Sequence, residues 1–217
     1  MTHTLEADSI QLAFDGRKIL SDIYIKCETG KITGLLGRNG EGKSCLMKII
    51  YGTLRAEKSI RFNNIVQPYL FRRPDIAMFL PQFPFIPRGL TLKRIFDDFQ
   101  LDFSPFIKKF PEFSLHYKSS KERFPGGGGR LVEIYIIAKS KSHFALFDEP
   151  FTYLSPVQTE KVKELLQEEK AAKGLLITDH MYMHVTQMAD QLYLLSGGKT
   201  HLLKNASEIV TMGYANL

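Results

Sequence analysis

Apolar positions along this chain change rhythm several times, and each change predicts an element. Residues Ser9 to Phe14 suggest a strand, and Lys18 to Lys26 suggest another, with the alternating character of a strand that has one face covered. A Thr29-Gly30-Lys31 turn follows, and then Ile32 to Leu36, a short apolar run that predicts a buried strand. Beyond a glycine-rich stretch the period lengthens: Leu46, Ile49, Ile50 and Thr53 fall on one helical face, with the helix opening near Cys45. Two more short strands are predicted at Ile60 to Phe62 and Ile76 to Leu80, the second ending at Pro81-Gln82.

Between Phe83 and Lys139 the texture changes. Nine of the 16 phenylalanines lie there, and Phe96, Phe99, Phe103, Phe106, Phe110 and Phe113 step by three and four. Pro105 and Pro111 cut this stripe into short helices, and Ser104-Pro105 predicts an N-cap with proline in the first helical position. The stripe reads as the core of a small helical lobe; its exposed members could instead line a docking groove for another protein. Leu131, Ile134, Tyr135 and Ala138 predict an amphipathic helix starting just after four consecutive glycines. From Phe144 onward sheet-like runs return at Phe144 to Phe147, Leu175 to Thr178 and Gln191 to Leu195. A helix bearing Val162, Leu165, Leu166 and Glu169 separates the first two. Strands alternating with helices predict a largely parallel α/β sheet with the helical lobe inserted in it.

Composition narrows the class. The chain has 217 residues, 44% of them hydrophobic and 24% charged, enough apolar material for a sizeable core. No apolar run approaches the roughly 18 to 20 residues that cross a bilayer, and the segment from Met1 to Gln11 has no signal-like apolar region. A cytoplasmic protein is expected. Cys27 and Cys45 have no metal-like spacing and are expected to be free thiols. The net charge of +6 is scattered among acids and makes no basic block, so nucleic acid is not an expected partner.

The chemistry concentrates in two places. Gly37-Arg38-Asn39-Gly40-Glu41-Gly42-Lys43-Ser44 has the spacing G-x-x-x-x-G-K-S between a predicted strand and a predicted helix. Glycines let several N–H groups turn toward one anion, and the helix start adds its partial positive charge. Lys43 supplies a full charge for the β- and γ-phosphates, the Ser44 hydroxyl can hold Mg²⁺, and Cys45 completes the candidate nucleotide-binding run. Farther on, the apolar Phe144-Ala145-Leu146-Phe147 leads directly into Asp148-Glu149. Two acids at the carboxyl edge of a buried strand suit a metal ligand, Asp148, and a base for an attacking water, Glu149.

With these segments in hand, the chain resembles the ATP-binding subunit of ATP-binding cassette (ABC) transporters over essentially its whole length. The resemblance implies a P-loop NTPase (RecA-like) core over 1–82 and 140–217, with a mixed, largely parallel sheet and an N-terminal antiparallel β part. Residues 83–139 would form an inserted small helical subdomain. It also implies that Phe14 stacks on adenine, that Gln82 reaches Mg²⁺ and the attacking water, and that His180 in Ile177-Thr178-Asp179-His180 contacts the γ-phosphate. Phe124 to Gly128, leading into Arg130, resembles the family's signature, so Pro125, Gly126, Gly127 and Gly128 would contact ATP held by a partner subunit. The implied cofactors are ATP and Mg²⁺, the metal being held by Ser44, Gln82 and Asp148. The implied partners are a second ABC ATPase subunit, closing head to tail, and an integral membrane permease. That places the protein in the cytoplasm, peripheral to the cytoplasmic membrane.

Two positions depart from the family pattern. The signature normally reads Leu-Ser-Gly-Gly-Gln, and here Pro125 stands where the serine would bond the γ-phosphate. Losing one hydrogen bond to a charged group costs on the order of 1.5 to 3 kcal/mol, so slowed hydrolysis is expected. Ser155, in Leu154-Ser155-Pro156, replaces a usual aspartate, or serves simply as a helix cap. These changes leave one alternative, an ATP-operated switch subunit with weak turnover as half of a heterodimer; the basic charge alone keeps another, a soluble ABC ATPase acting on nucleic acid or ribosomes. The leading expectation is an ATPase driving transport.

Overall fold

The computed structural model describes residues 2–120, 124, 126–205 and 208–211. Two sheets organise it. The first is antiparallel and begins with β1 (Thr4–Phe14) and β2 (Arg17–Glu28), longer than the alternation predicted. The tight turn between them is Asp15-Gly16, both at positive φ (48° and 79°), as a two-residue hairpin of primed type requires. Strand β4 (Glu57–Phe62) pairs with β1, and β5 (Ile65–Val66) returns along β4.

The second sheet holds β3 (Ile32–Leu36), β6 (Ala77–Leu80), β7 (Phe144–Asp148), β8 (Gly174–Thr178), β9 (Gln191–Ser196) and β10 (Lys199–Leu203), in the order β10-β9-β3-β8-β7-β6. All neighbours are parallel except β10, which runs antiparallel to β9. This is the expected mixed, largely parallel sheet beside an antiparallel N-terminal part. The sequence reading missed β10, whose Lys199-Thr200-His201 start is too polar to mark a strand. It is fixed by the Gly197-Gly198 turn that folds it back on β9.

Side chains on the parallel strands alternate between two cores, as the pleat demands. Leu146, Leu176, Tyr193 and Leu195 face the first sheet and α1 (Lys43–Tyr51), packing with Ile10, Ile23, Leu46, Ile49 and Ile50. Phe147, Leu175, Ile177, Leu192 and Leu194 face the opposite way. There they meet α4 (Gly128–Lys139), α5 (Pro156–Lys170) and α6 (Tyr182–Met188), and the phenylalanine cluster continues that same core. Helix α1 stops at Gly52, whose φ of 95° makes the left-handed cap, so Thr53 lies beyond it.

The phenylalanine segment contains α2 (Leu92–Asp98) and α3 (Phe103–Lys109). Phe96, Phe106, Phe110 and Phe113 are fully buried and stack against one another and Tyr135, while Phe99 and Phe103 pack at the margin. Each buried ring contributes roughly 1.5 to 3 kcal/mol. The stripe is therefore core and not a docking groove. The cap of α3 is Asp102, which accepts from the Ser104 N–H at 2.9 Å, and not Ser104. Pro105 sits in the first turn, where no intrahelical N–H is needed.

Helix α4 also differs from expectation. It begins at Gly128, inside the glycine run, and every residue from Arg130 to Ala138 is buried, so it is a core helix and not an amphipathic one. Short α7 (Glu208–Thr211) ends the described chain. Among the described residues no helix is long and apolar enough to cross a membrane, and Cys27 and Cys45 are free thiols, as expected.

Candidate nucleotide site

The carboxyl ends of β3, β6, β7 and β8 meet at one edge of the parallel sheet, and the candidate residues sit there. After β3 the chain turns through 37–42 and enters α1. Gly42 caps α1 at φ 100°, a conformation that strains any residue carrying a Cβ. A Cβ on Gly37 would meet the Leu195 carbonyl oxygen at 2.8 Å, so β9 itself excludes a larger residue there. Lys43 Nζ donates to the carbonyls of Gly37 (2.6 Å) and Arg38 (3.2 Å), which curls the loop around its own ammonium. Lys43 is only 6% exposed, and burial pulls its pKa down, against the opposing pull of Glu149 and Asp148.

Asp148 ends β7 fully buried, and its Oδ1 accepts from the Ser44 hydroxyl at 3.1 Å. Burial lifts its pKa from 3.8 to about 6, with Ser44 opposing the shift. Its Oδ2 has no hydrogen-bond partner among the described residues. A buried, partnerless carboxylate oxygen beside a serine hydroxyl fits Mg²⁺, a hard cation that takes one or two protein oxygens and completes its shell with phosphate and water. Among the described residues no group of three or more His, Cys, Asp or Glu is placed to hold a metal ion.

Glu149 leaves the strand at φ 50°, a left-handed conformation rare for a residue with a side chain. Its Oε2 accepts from Gln82 Nε2 at 3.1 Å and lies 3.4 Å from His180 Nδ1. Gln82 follows β6 and His180 follows β8, so three separate strand ends converge on one carboxylate. Phe14, 48% exposed at the end of β1, stands at the rim. Together Phe14, Asn39, Gly40, Gly42, Lys43, Ser44, Cys45, Gln82, Glu149 and His180 line an open cleft of about 580 Å³.

Gly126, Gly127 and Gly128 lie elsewhere. With Phe124, Tyr153 and Arg130 they line a separate depression of about 220 Å³, which shares only Gln82 with the first cleft. Gly127 has φ 72°, and a Cβ there would meet the Tyr153 carbonyl oxygen at 2.7 Å. On Gly128 a Cβ would meet the Phe113 ring at 2.8 Å, so the glycine at the usual glutamine position accommodates the phenylalanine core. Pro125 lies outside the described residues. Ser155 is a helix cap: it accepts from the Gln158 N–H at 3.3 Å while Gln158 Oε1 accepts from its N–H at 3.0 Å, a capping box that starts α5.

The sequence reading missed Asp179. Fully buried, it accepts from the N–H groups of Phe151 (3.1 Å) and Met181 (2.8 Å), and so ties the segment after Glu149 to the turn bearing His180. Its only sequence signal was an acid directly after an apolar strand, the same signal that exposed Asp148.

Comparison with known proteins matches this geometry. The ABC transporter family model covers residues 20–152. The lipopolysaccharide export system ATP-binding protein LptB of Acidithiobacillus ferridurans is 27% identical, over 97% of this chain and 93% of that protein. LptB of Escherichia coli is also 27% identical, over 94% of this chain and 90% of that protein. A probable ABC transporter ATP-binding protein of Azorhizobium caulinodans is 27% identical as well, over 95% and 79%. A solved ATP-binding subunit of an ABC transporter shares the fold with a TM-score of 0.82 at 21% identity, covering 98% of this chain and 95% of that one. The chain belongs to the ABC transporter family, as one of its ATP-binding subunits.

Proposed function

We propose that this chain hydrolyses ATP, closes head to tail on a second ABC ATPase subunit, and so drives an integral membrane permease from the cytoplasmic side. In this reading residues 1–82 and 140–217 form the nucleotide-binding core, and 83–139 form the inserted helical part. The observation that carries it is the convergence of Gln82, Glu149 and His180 beside the Lys43–Ser44 loop. Phe14 offers its exposed ring to the adenine. The amides of 39–44 and the start of α1 cradle the phosphates, and Lys43 exchanges its carbonyl partners for β- and γ-phosphate oxygens. Ser44, Asp148 and Gln82 would hold Mg²⁺, which supplies charge neutralisation at those oxygens. Glu149 accepts the proton of a water aligned with the γ-phosphorus, Gln82 orients that water, and His180 donates to the γ-phosphate.

Gly126, Gly127 and Gly128 with the start of α4 face the nucleotide of the partner subunit, so each site needs both chains. Ser155 acts as a cap, and the weak-turnover switch rests on Pro125 and on the aspartate that Ser155 replaces. Steady-state phosphate release from Mg-ATP by the purified chain tests the proposal. Glu149→Gln is expected to lower kcat by at least about a hundredfold while ATP still binds. Equal rates in both proteins would contradict it.

A further inference from the structure

Among the described residues one ion pair has both partners buried. Arg130 and Glu133, one turn apart at the start of α4, approach to 3.6 Å with side chains 5% and 0% exposed. Buried pairs of this kind are weak sources of stability, since apolar residues of similar size often do as well. Their use here lies in what they hold. The Arg130 guanidinium donates to three main-chain carbonyls: Pro81 (2.8 Å), Asp148 (2.8 Å) and Glu149 (2.9 Å). Glu133 Oε1 accepts from the N–H groups of Phe85 (3.2 Å) and Ile86 (3.3 Å). One helical turn thus grips both ends of the segment carrying Gln82 and the end of the strand carrying Glu149.

The grip on Glu149 falls where the backbone most needs it. A residue with a Cβ stays at φ 50° only when its surroundings over-determine it. The Glu149 N–H is held by the Thr178 carbonyl at 2.8 Å, and its carbonyl is held by Arg130. Freed on that side, Glu149 can relax to an ordinary φ, which swings its carboxylate away from Gln82 and His180.

We propose that Arg130, braced by Glu133, is a positioning residue that sets Glu149 and Gln82 for hydrolysis and ties them mechanically to the glycine run at the start of α4. The inference rests on the hydrolytic reading above. A shift of the glycine run, which faces the partner's nucleotide in that reading, would then move the chain's own catalytic carboxylate.

The test compares Arg130→Met, Arg130→Lys, Glu133→Gln and a buried control on the same helix, Val132→Ala. Readouts are kcat and KM for ATP, ATP affinity by calorimetry, and amide hydrogen exchange over 81–86 and 148–151. Arg130→Met is expected to lower kcat at least about tenfold, the scale of a sub-ångström to ångström misplacement, with ATP affinity within about threefold. Arg130→Lys should recover part of that loss, and exchange at Phe85 and Glu149 should quicken while β3 and β8 stay protected. Val132→Ala, at an equal loss of Tm, should keep kcat within about threefold. Unaltered kcat in folded Arg130→Met, or an equal loss in Val132→Ala, overturns the proposal. If Arg130→Met does not fold, Arg130→Lys and Glu133→Gln are read instead: a kcat loss beyond the roughly threefold allowed to Val132→Ala upholds the proposal, and an unaltered kcat in both overturns it. Should the wild-type chain release no phosphate, the hydrolytic reading fails and this proposal with it; wild-type phosphate release with unchanged kcat and unchanged exchange at Phe85 and Glu149 in Arg130→Met overturns this proposal alone.

Discussion

The phosphate-loop edge and the glycine-run edge of this molecule are built by different means. At the first, polar side chains make the surface: Lys43, Ser44, Gln82, Asp148, Glu149 and His180 touch one another or the loop at 2.6 to 3.4 Å. Their positions come from buried parallel strands whose ends are fixed by register. At the second edge the surface is largely backbone. At Gly127 a positive φ and the nearby Tyr153 carbonyl leave no space for a Cβ, Gly126 accepts from Gln158 Nε2 at 3.2 Å, and Gly128 makes room for Phe113. The first edge tolerates little change of side-chain chemistry, whereas the second tolerates little change of volume or conformation. Each edge therefore has its own way of failing.

The largest separation between them should come from Pro125→Ser. Restoring a hydroxyl toward the partner's γ-phosphate is expected to raise kcat roughly tenfold to a hundredfold, the worth of one hydrogen bond to a charged group. An unchanged rate in a steady-state assay would mean that the glycine amides alone serve that edge. Next is Gly127→Ala, whose Cβ meets Tyr153 and whose left-handed φ costs about 1 to 2 kcal/mol. It should lower kcat about tenfold with ATP affinity unchanged, because the phosphate loop is untouched. A matching loss of ATP affinity in calorimetry would join the two edges into one.

The smallest effect is on stability, at the first edge. Burial raises the Asp148 pKa from 3.8 to about 6, so across that window the folded state keeps a proton that the unfolded chain releases. Stability from this group thus falls as pH rises through the window, by up to about 3 kcal/mol above pH 6. Asp148→Asn removes the penalty, keeps an acceptor for Ser44, and should raise Tm at pH 8 by several degrees. The gain should vanish below about pH 3, where Asp148 is protonated folded or unfolded; a gain that persists in acid would assign it to packing.

The two edges also differ in how far the sequence disclosed them. Lys43, Ser44, Asp148 and Glu149 were legible because side-chain chemistry sits at fixed spacing beside apolar strands. Gln82 and His180 carry no local signal and gained meaning only from the family resemblance. The glycine run was visible, but its register was not: two of its residues lie inside α4, because Gly127 reverses the chain and α4 is buried on all sides. The strands of the parallel sheet were readable as apolar runs. Strand β10 and helix α6 were not, one being polar at its start and the other only seven residues long. Asp102 displaced Ser104 as a cap because an aspartate two residues upstream of the Ser104 N–H can reach it, which proline position alone does not reveal. The grip of Arg130 on three carbonyls depends on tertiary contacts across more than one strand, and no sequence pattern encodes it.

Everything proposed here depends on a curled main-chain loop and one ammonium holding the triphosphate tail. Titration calorimetry of Mg-ATP into the folded chain and into Lys43→Ala tests that most directly. The account predicts saturable binding by the wild type and a loss of affinity of at least about a hundredfold in the variant. Absence of binding by the folded wild type, or equal affinity in both proteins, would contradict it.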